Sequence, residues 1–133
     1  MPPSAEPVRI LIVEDEFLVA LLIEETVRNL GHEVVGPIGD LAEAMRLAES
    51  EALSAAILDV HLQHGERVYP VVKILGRRRV PLVLTTAYRD TEIDPDCAGE
   101  MLLRKPFDQA ELEQCITRLV HPPSVAESRS HIP

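Results

Sequence analysis

Only two cysteines occur in the 133 residues, Cys97 and Cys115, too few for a disulfide framework and too far apart for a Cys-x-x-Cys site. Reduced thiols are expected. Long apolar runs are missing as well: Phe17 to Ile23 falls far short of the roughly 18 residues of a membrane span, and Glu24 and Glu25 follow at once. Residues 1–7 carry neither the basic region nor the apolar stretch of a secretory signal, which points to a cytoplasmic protein. Positive charge is in short supply, with 13 Lys and Arg against 22 Asp and Glu and a net charge of −9. Such a field repels phosphate backbones and anionic lipid heads, so no nucleic acid and no membrane surface is expected as a partner.

What the chain does contain is 46% apolar and 26% charged residues, enough to bury a core, over a length that suits one domain. Val8 to Val13 is an apolar, β-branched run of the kind found in strands covered on both faces. Ala20, Ile23, Val27 and Leu30 then repeat at helical spacing before Gly31, a natural helix stop. A second short apolar stretch, Glu33 to Gly36, precedes a helix from Asp40 to about Ser50, with Asp40 as N-cap three residues before Glu43. Ala55 to Val60 reads as a third strand. Val68, Val71, Val72 and Leu75 mark a third helix ending near Gly76, with Pro70 tolerable in its first turn. Pro81 to Ala87 and Met101 to Arg104 read as the last two strands, and between them residues 89–99 are polar, with any helix short or irregular and little packing to hold it. Asp108 to Glu111 repeats the capping pattern ahead of Leu112, Cys115, Ile116 and Leu119. Five strand signals alternating with helices predict an α/β domain, a doubly wound five-stranded parallel sheet with helices on both faces. The domain is expected over residues 8–120, between a flexible start, 1–7, and a flexible tail, 121–133.

In an open sheet of this kind ligands bind at the carboxyl ends of the strands. Glu14-Asp15-Glu16, Asp59, Thr85-Thr86 and Arg104-Lys105-Pro106 all fall there. Two like charges about 4 Å apart at an effective dielectric near 20 repel by roughly 4 kcal/mol, so converging carboxylates call for a cation. Hard oxygens suit Mg2+, whose shell is commonly completed by a phosphate oxygen. Lys105 can meet a phosphoryl oxygen, Thr86 offers a hydroxyl, and Asp59 can act as a nucleophile toward phosphorus.

With these pieces in place, Ile12 to Glu16, Ile57 to Val60, Leu84 to Ala87 and Lys105-Pro106-Phe107, the chain resembles the receiver domain of two-component response regulators over residues 8 to about 120. The resemblance implies a flavodoxin-like receiver fold. It implies Asp59 as phosphoacceptor, Mg2+ held by Glu14, Asp15, Asp59 and the His61 carbonyl, and Thr86 and Lys105 on the phosphoryl group. The phosphodonor would be a histidine kinase or a phosphotransfer protein, and the domain would catalyse its own phosphorylation and dephosphorylation. A cis Lys105–Pro106 peptide is expected on the same ground. Val68-Tyr69-Pro70 and Pro81 to Tyr88 further resemble the FAT GUY subgroup of single-domain receivers, whose Phe-Ala-Thr-Gly-Tyr run is matched only in part. The pattern is broken at Leu102, where most receivers carry a switch aromatic three residues before the lysine. Tyr88 is the nearby ring, and Thr86, Tyr88 and Leu102 together are the expected switch.

Other readings compete. His61 and His64 could bind a transition metal, but two imidazoles lack further ligands. Arg77-Arg78-Arg79 suits the end of a helix as a solvated cluster. A flavin module would want a Ser/Thr/Gly-rich loop where Glu14-Asp15-Glu16 stands, and an aspartyl phosphohydrolase would want a carboxylate where His61 stands. The strongest rival is a pseudo-receiver that binds a partner without being phosphorylated. With only a short tail after Val120, the output is expected to be contact with a downstream protein, and a homodimer is left open.

Overall fold

The computed structural model describes residues 7–87, 93–97 and 100–122. The chain alternates strand and helix: β1 (Arg9–Val13), α1 (Phe17–Asn29), β2 (Glu33–Ile38), α2 (Leu41–Ser50), β3 (Ala55–Asp59), α3 (Tyr69–Arg77), β4 (Leu82–Thr86), β5 (Met101–Arg104) and α4 (Gln109–Val120). All strand pairs are parallel, in the order β2-β1-β3-β4-β5. The chain direction across the sheet reverses between β1 and β3, the point at which a doubly wound sheet opens a crevice.

Period-two alternation sorts the strand side chains between two apolar layers. Leu11, Val13, Ala56, Leu58, Leu82 and Leu84 pack with Ala44 and Ala48 of α2 and Val71, Ile74 and Leu75 of α3. Ile10, Ile12, Ala55, Ile57 and Val83 face the other way, against Ile23 and Val27 of α1 and Leu112, Ile116 and Leu119 of α4. Apolar groups that would cost roughly 1.5–3 kcal/mol each to expose thus close both faces. Two of the helices begin on side-chain caps. The Asp40 carboxylate accepts from the Glu43 amide at 2.8 Å. Asp108 and Glu111 form a reciprocal capping box, at 2.8 and 3.1 Å. Pro70 lies in the first turn of α3, where its missing N–H costs nothing.

The predicted elements stand, with two corrections. β2 runs on past Gly36 to Ile38 instead of ending at the glycine. It is an edge strand that pairs only with β1, through a register shift between Leu11 and Val13, so Pro37 removes no needed ladder bond. Residues 93–97 are also better anchored than the polarity of the segment before β5 suggests. The Asp94 amide donates to the Tyr69 hydroxyl at 3.0 Å, Ile93 packs on the α2/α3 layer, and Cys97 is buried at the end of a 3-10 turn, Pro95–Cys97. Tyr88 and both expected flexible ends, apart from Pro7, His121 and Pro122, lie outside the described residues. Cys97 and Cys115 are both buried free thiols. Among the described residues no helix is long and apolar enough to cross a membrane.

Candidate functional site

Four strand ends deliver the chemistry to one rim. Glu14 and Asp15 follow β1, Asp59 closes β3, Thr86 closes β4, and Lys105 follows β5. Glu14 and Asp59 are 3% and 4% exposed and Thr86 is fully buried, so the strand register carries polar groups into the end of the core. Glu14, Asp15 and Asp59 each place a carboxylate oxygen within 4.8 Å of the others, and among the described residues they form the one such group. Among the described residues His61 and His64 belong to no cluster of this kind.

Lys105 crosses the rim. Its Nζ lies 3.2 Å from Asp59 Oδ2, 3.0 Å from Glu14 Oε1 and 3.5 Å from Glu16 Oε1. Glu16 is exposed yet reaches the lysine. Burial acts to lower the Lys105 pKa, but the neighbouring carboxylates of Glu14 and then Asp59 outweigh it together and raise it. Lys105 is a fixed cation. Glu14 is the reverse case: burial first, then the charge of Asp59 and a hydrogen bond with it, push its carboxyl up to about 7 against the opposing influence of the Glu16 amide and Lys105. The contact between Lys105 and Glu14 Oε1 is an ion pair by distance without hydrogen-bond alignment, so this buried oxygen keeps an unused acceptor site.

The fit to a divalent cation rests on that arrangement. Three carboxylates within one ion's reach, one of them with an orphaned buried oxygen and a raised pKa, form a donor set that a hard cation relieves. The amide of His61 donates to Asp59 Oδ1 at 3.2 Å and the amide of Glu16 to Glu14 Oε2 at 3.1 Å, so in each carboxylate the second oxygen is the one that faces Lys105. His61 itself pairs with Arg67 in an isolated antiparallel bridge. The Lys105–Pro106 peptide is cis, as expected, and Gly36–Pro37 is cis too.

The register of Thr85 and the placement of Gly39 escaped the reading of the sequence. Thr85 sits opposite Asp59 in the β3/β4 register and buries a hydroxyl that has no hydrogen-bond partner. Gly39, the first residue after β2, lies against Asp15. Neither carries a sequence signal, because both depend on which strands become neighbours. Leu102 is 39% exposed on edge strand β5, opposite Leu84.

No family model matches the chain. Among solved structures, the receiver domain of sensor histidine kinase PA1611 from Pseudomonas aeruginosa PAO1, which has a magnesium ion coordinated in its active-site cleft, matches with a TM-score of 0.73 at 30% identity, over 86% of this chain and 98% of that one. The chain belongs to the response regulator receiver domains. SdrG from Sphingomonas melonis Fr1 matches this receiver domain with a TM-score of 0.76 at 34% identity, over 86% of this chain and 97% of SdrG. The transcriptional regulatory protein PdtaR of Mycobacterium tuberculosis is 33% identical over 112 residues, 82% of this chain. The receiver chain spans about half the length of the curated relatives it matches, 55% in the case of PdtaR.

Proposed function

We propose that this receiver domain is a phosphorylation-controlled switch in which Asp59 accepts a phosphoryl group from a histidine kinase or phosphotransfer protein. The observation that carries the reading is the Asp59 carboxylate, buried at the end of β3, with Lys105 Nζ 3.2 Å away and the carboxylates of Glu14 and Asp15 beside it. An Asp59 oxygen forms the new P–O bond as the P–N bond of the donor's phosphohistidine breaks, and the imidazole leaves with the electron pair. Lys105, held charged, meets the oxygens of the transferring group, and Thr86 donates its hydroxyl to the same group. Glu14, Asp15, Asp59 and the His61 carbonyl would hold Mg2+, which supplies positive charge to the phosphoryl oxygens when bound.

A charge-assisted hydrogen bond from Thr86, worth roughly 1.5–3 kcal/mol, is enough to bias a two-state loop after β4, with Tyr88 as the responding ring in place of an aromatic at Leu102. The output is contact with a downstream protein, and the reading places it in the cytoplasm, within the FAT GUY subgroup. The donor's face is argued from α1: Phe17 and Leu18, each 76% exposed, stand one turn from the acidic pair, where a docked helix could bring its histidine to Asp59. Incubation with Mg2+ and a small acyl phosphate tests the reading. One phosphoryl mass added at Asp59 is expected, and no added mass in wild-type protein would favour the pseudo-receiver instead.

A further inference from the structure

We propose that Gly39 is a positioning residue that seats Asp15 closely enough to favour Mg2+ over the larger Ca2+, an inference that rests on the magnesium reading above. A Cβ placed on Gly39 would lie 3.0 Å from Asp15 Cβ, 3.1 Å from Asp15 Cα and 3.6 Å from the Glu14 carbonyl oxygen. The first two distances are tighter than ordinary van der Waals contact, and the atoms met are backbone or rigidly attached to it. Gly39 does not lie in the left-handed region, so its backbone conformation does not call for glycine. Space is the reason for it. Gly36 is different, because its φ of +99° demands glycine whatever stands nearby.

The Gly39 side of the contact is held. The connection is tied on one side of Gly39 by the Glu14 amide, which donates to the Ile38 carbonyl at 3.0 Å, and on the other by Asp40, which caps α2. Asp15, half-buried between Glu14 and Glu16, is the side that gives way. An added methyl group would therefore be absorbed by shifting Asp15 by a few tenths of an ångström. Next to this contact, a cavity of about 310 Å³ lined by Glu14, Asp15, Phe17, Pro37 and Gly39 leaves room for the waters that Mg2+ retains. Mg2+ demands near-ideal octahedral geometry at about 2.0–2.1 Å, whereas Ca2+ accepts irregular shells at about 2.3–2.6 Å. A shift of that size should cost the smaller ion more.

The test is calorimetric titration of Mg2+ and of Ca2+ into metal-free wild type, Gly39→Ala and Gly76→Ala, with thermal midpoints in chelator. Gly76 has nothing within 4 Å of its would-be Cβ and is the control. Gly39→Ala is expected to lower the Mg2+ to Ca2+ affinity ratio at least threefold, with the control at the wild-type ratio. An unchanged ratio overturns the proposal, whether both affinities hold or both fall along with the midpoint. A Gly39→Ala chain that does not fold makes the residue structural and also overturns it. Wild-type protein that binds no Mg2+ overturns the magnesium reading itself, and the proposal with it.

Discussion

Val13 and Glu14 are neighbours at the end of β1 and are almost equally buried, 1% and 3% exposed, yet burial acts on them in opposite senses. Val13 joins an apolar layer that favours folding in proportion to the area it hides. Glu14 carries a carboxyl that burial pushes up to about 7, beside Asp59, with an oxygen that finds no hydrogen-bond donor. On β3, too, a buried apolar side chain, Leu58, is followed by a buried carboxylate, Asp59. The lower part of the sheet is arranged for stability, while its carboxyl rim holds polar groups in a state that only a ligand relieves. The two regions should accordingly respond to mutation in opposite directions.

The largest expected effect is at the rim. Asp59→Asn should abolish phosphorylation by acyl phosphate, since an amide is no acceptor, and mass measurement checks it. Equal yield from mutant and wild type would break the assignment of roles at the rim. In the apolar layers, Leu58→Ala should lower unfolding free energy by about 2–5 kcal/mol in urea titrations, because Leu58 is wholly buried and its neighbours cannot close the gap.

Glu14→Gln sharpens the comparison, because there a rim substitution should stabilise. The folded pKa is raised above the ordinary 4.5, so the contribution of this group to stability is fully present below about pH 4.5 and lost as pH rises through about 7. Metal-free Glu14→Gln, neutral throughout, should match wild type below about pH 4.5 and exceed it increasingly up to pH 8, by an amount on the order of a few kcal/mol, with saturating Mg2+ reversing the order. Parallel pH profiles of the two proteins would contradict the strained rim. The smallest effect belongs to neither region: Asp108→Ala, which removes half of the capping box of α4, should cost about 1 kcal/mol by the same urea measurement and leave phosphorylation unchanged.

Much of this was legible along the chain. The apolar run that becomes β1, the caps at Asp40 and Asp108 and the stop at Gly31 are local signals, and each stands in the structure. The rim residues were legible because a strand's last residue is fixed by where its apolar run ends. β2 was misjudged at Gly36-Pro37 because whether a proline disrupts a strand depends on whether the strand lies at an edge. The packing of residues 93–97 was not legible because its anchors, Tyr69 and the α2/α3 layer, are distant in sequence.

The sequence by itself therefore determined the element order, the parallel doubly wound class and the residues that reach the rim, since periodicity, capping and run length act within a few residues. Only the tertiary structure decided the strand order, the reach of Lys105 to Glu14, Glu16 and Asp59, the raised pKa of Glu14, the unpartnered hydroxyl of Thr85 and the closeness of Gly39 to Asp15. Those properties depend on distance through space and on exclusion of water, and neither exists until β1, β3, β4 and the connection after β2 have packed together.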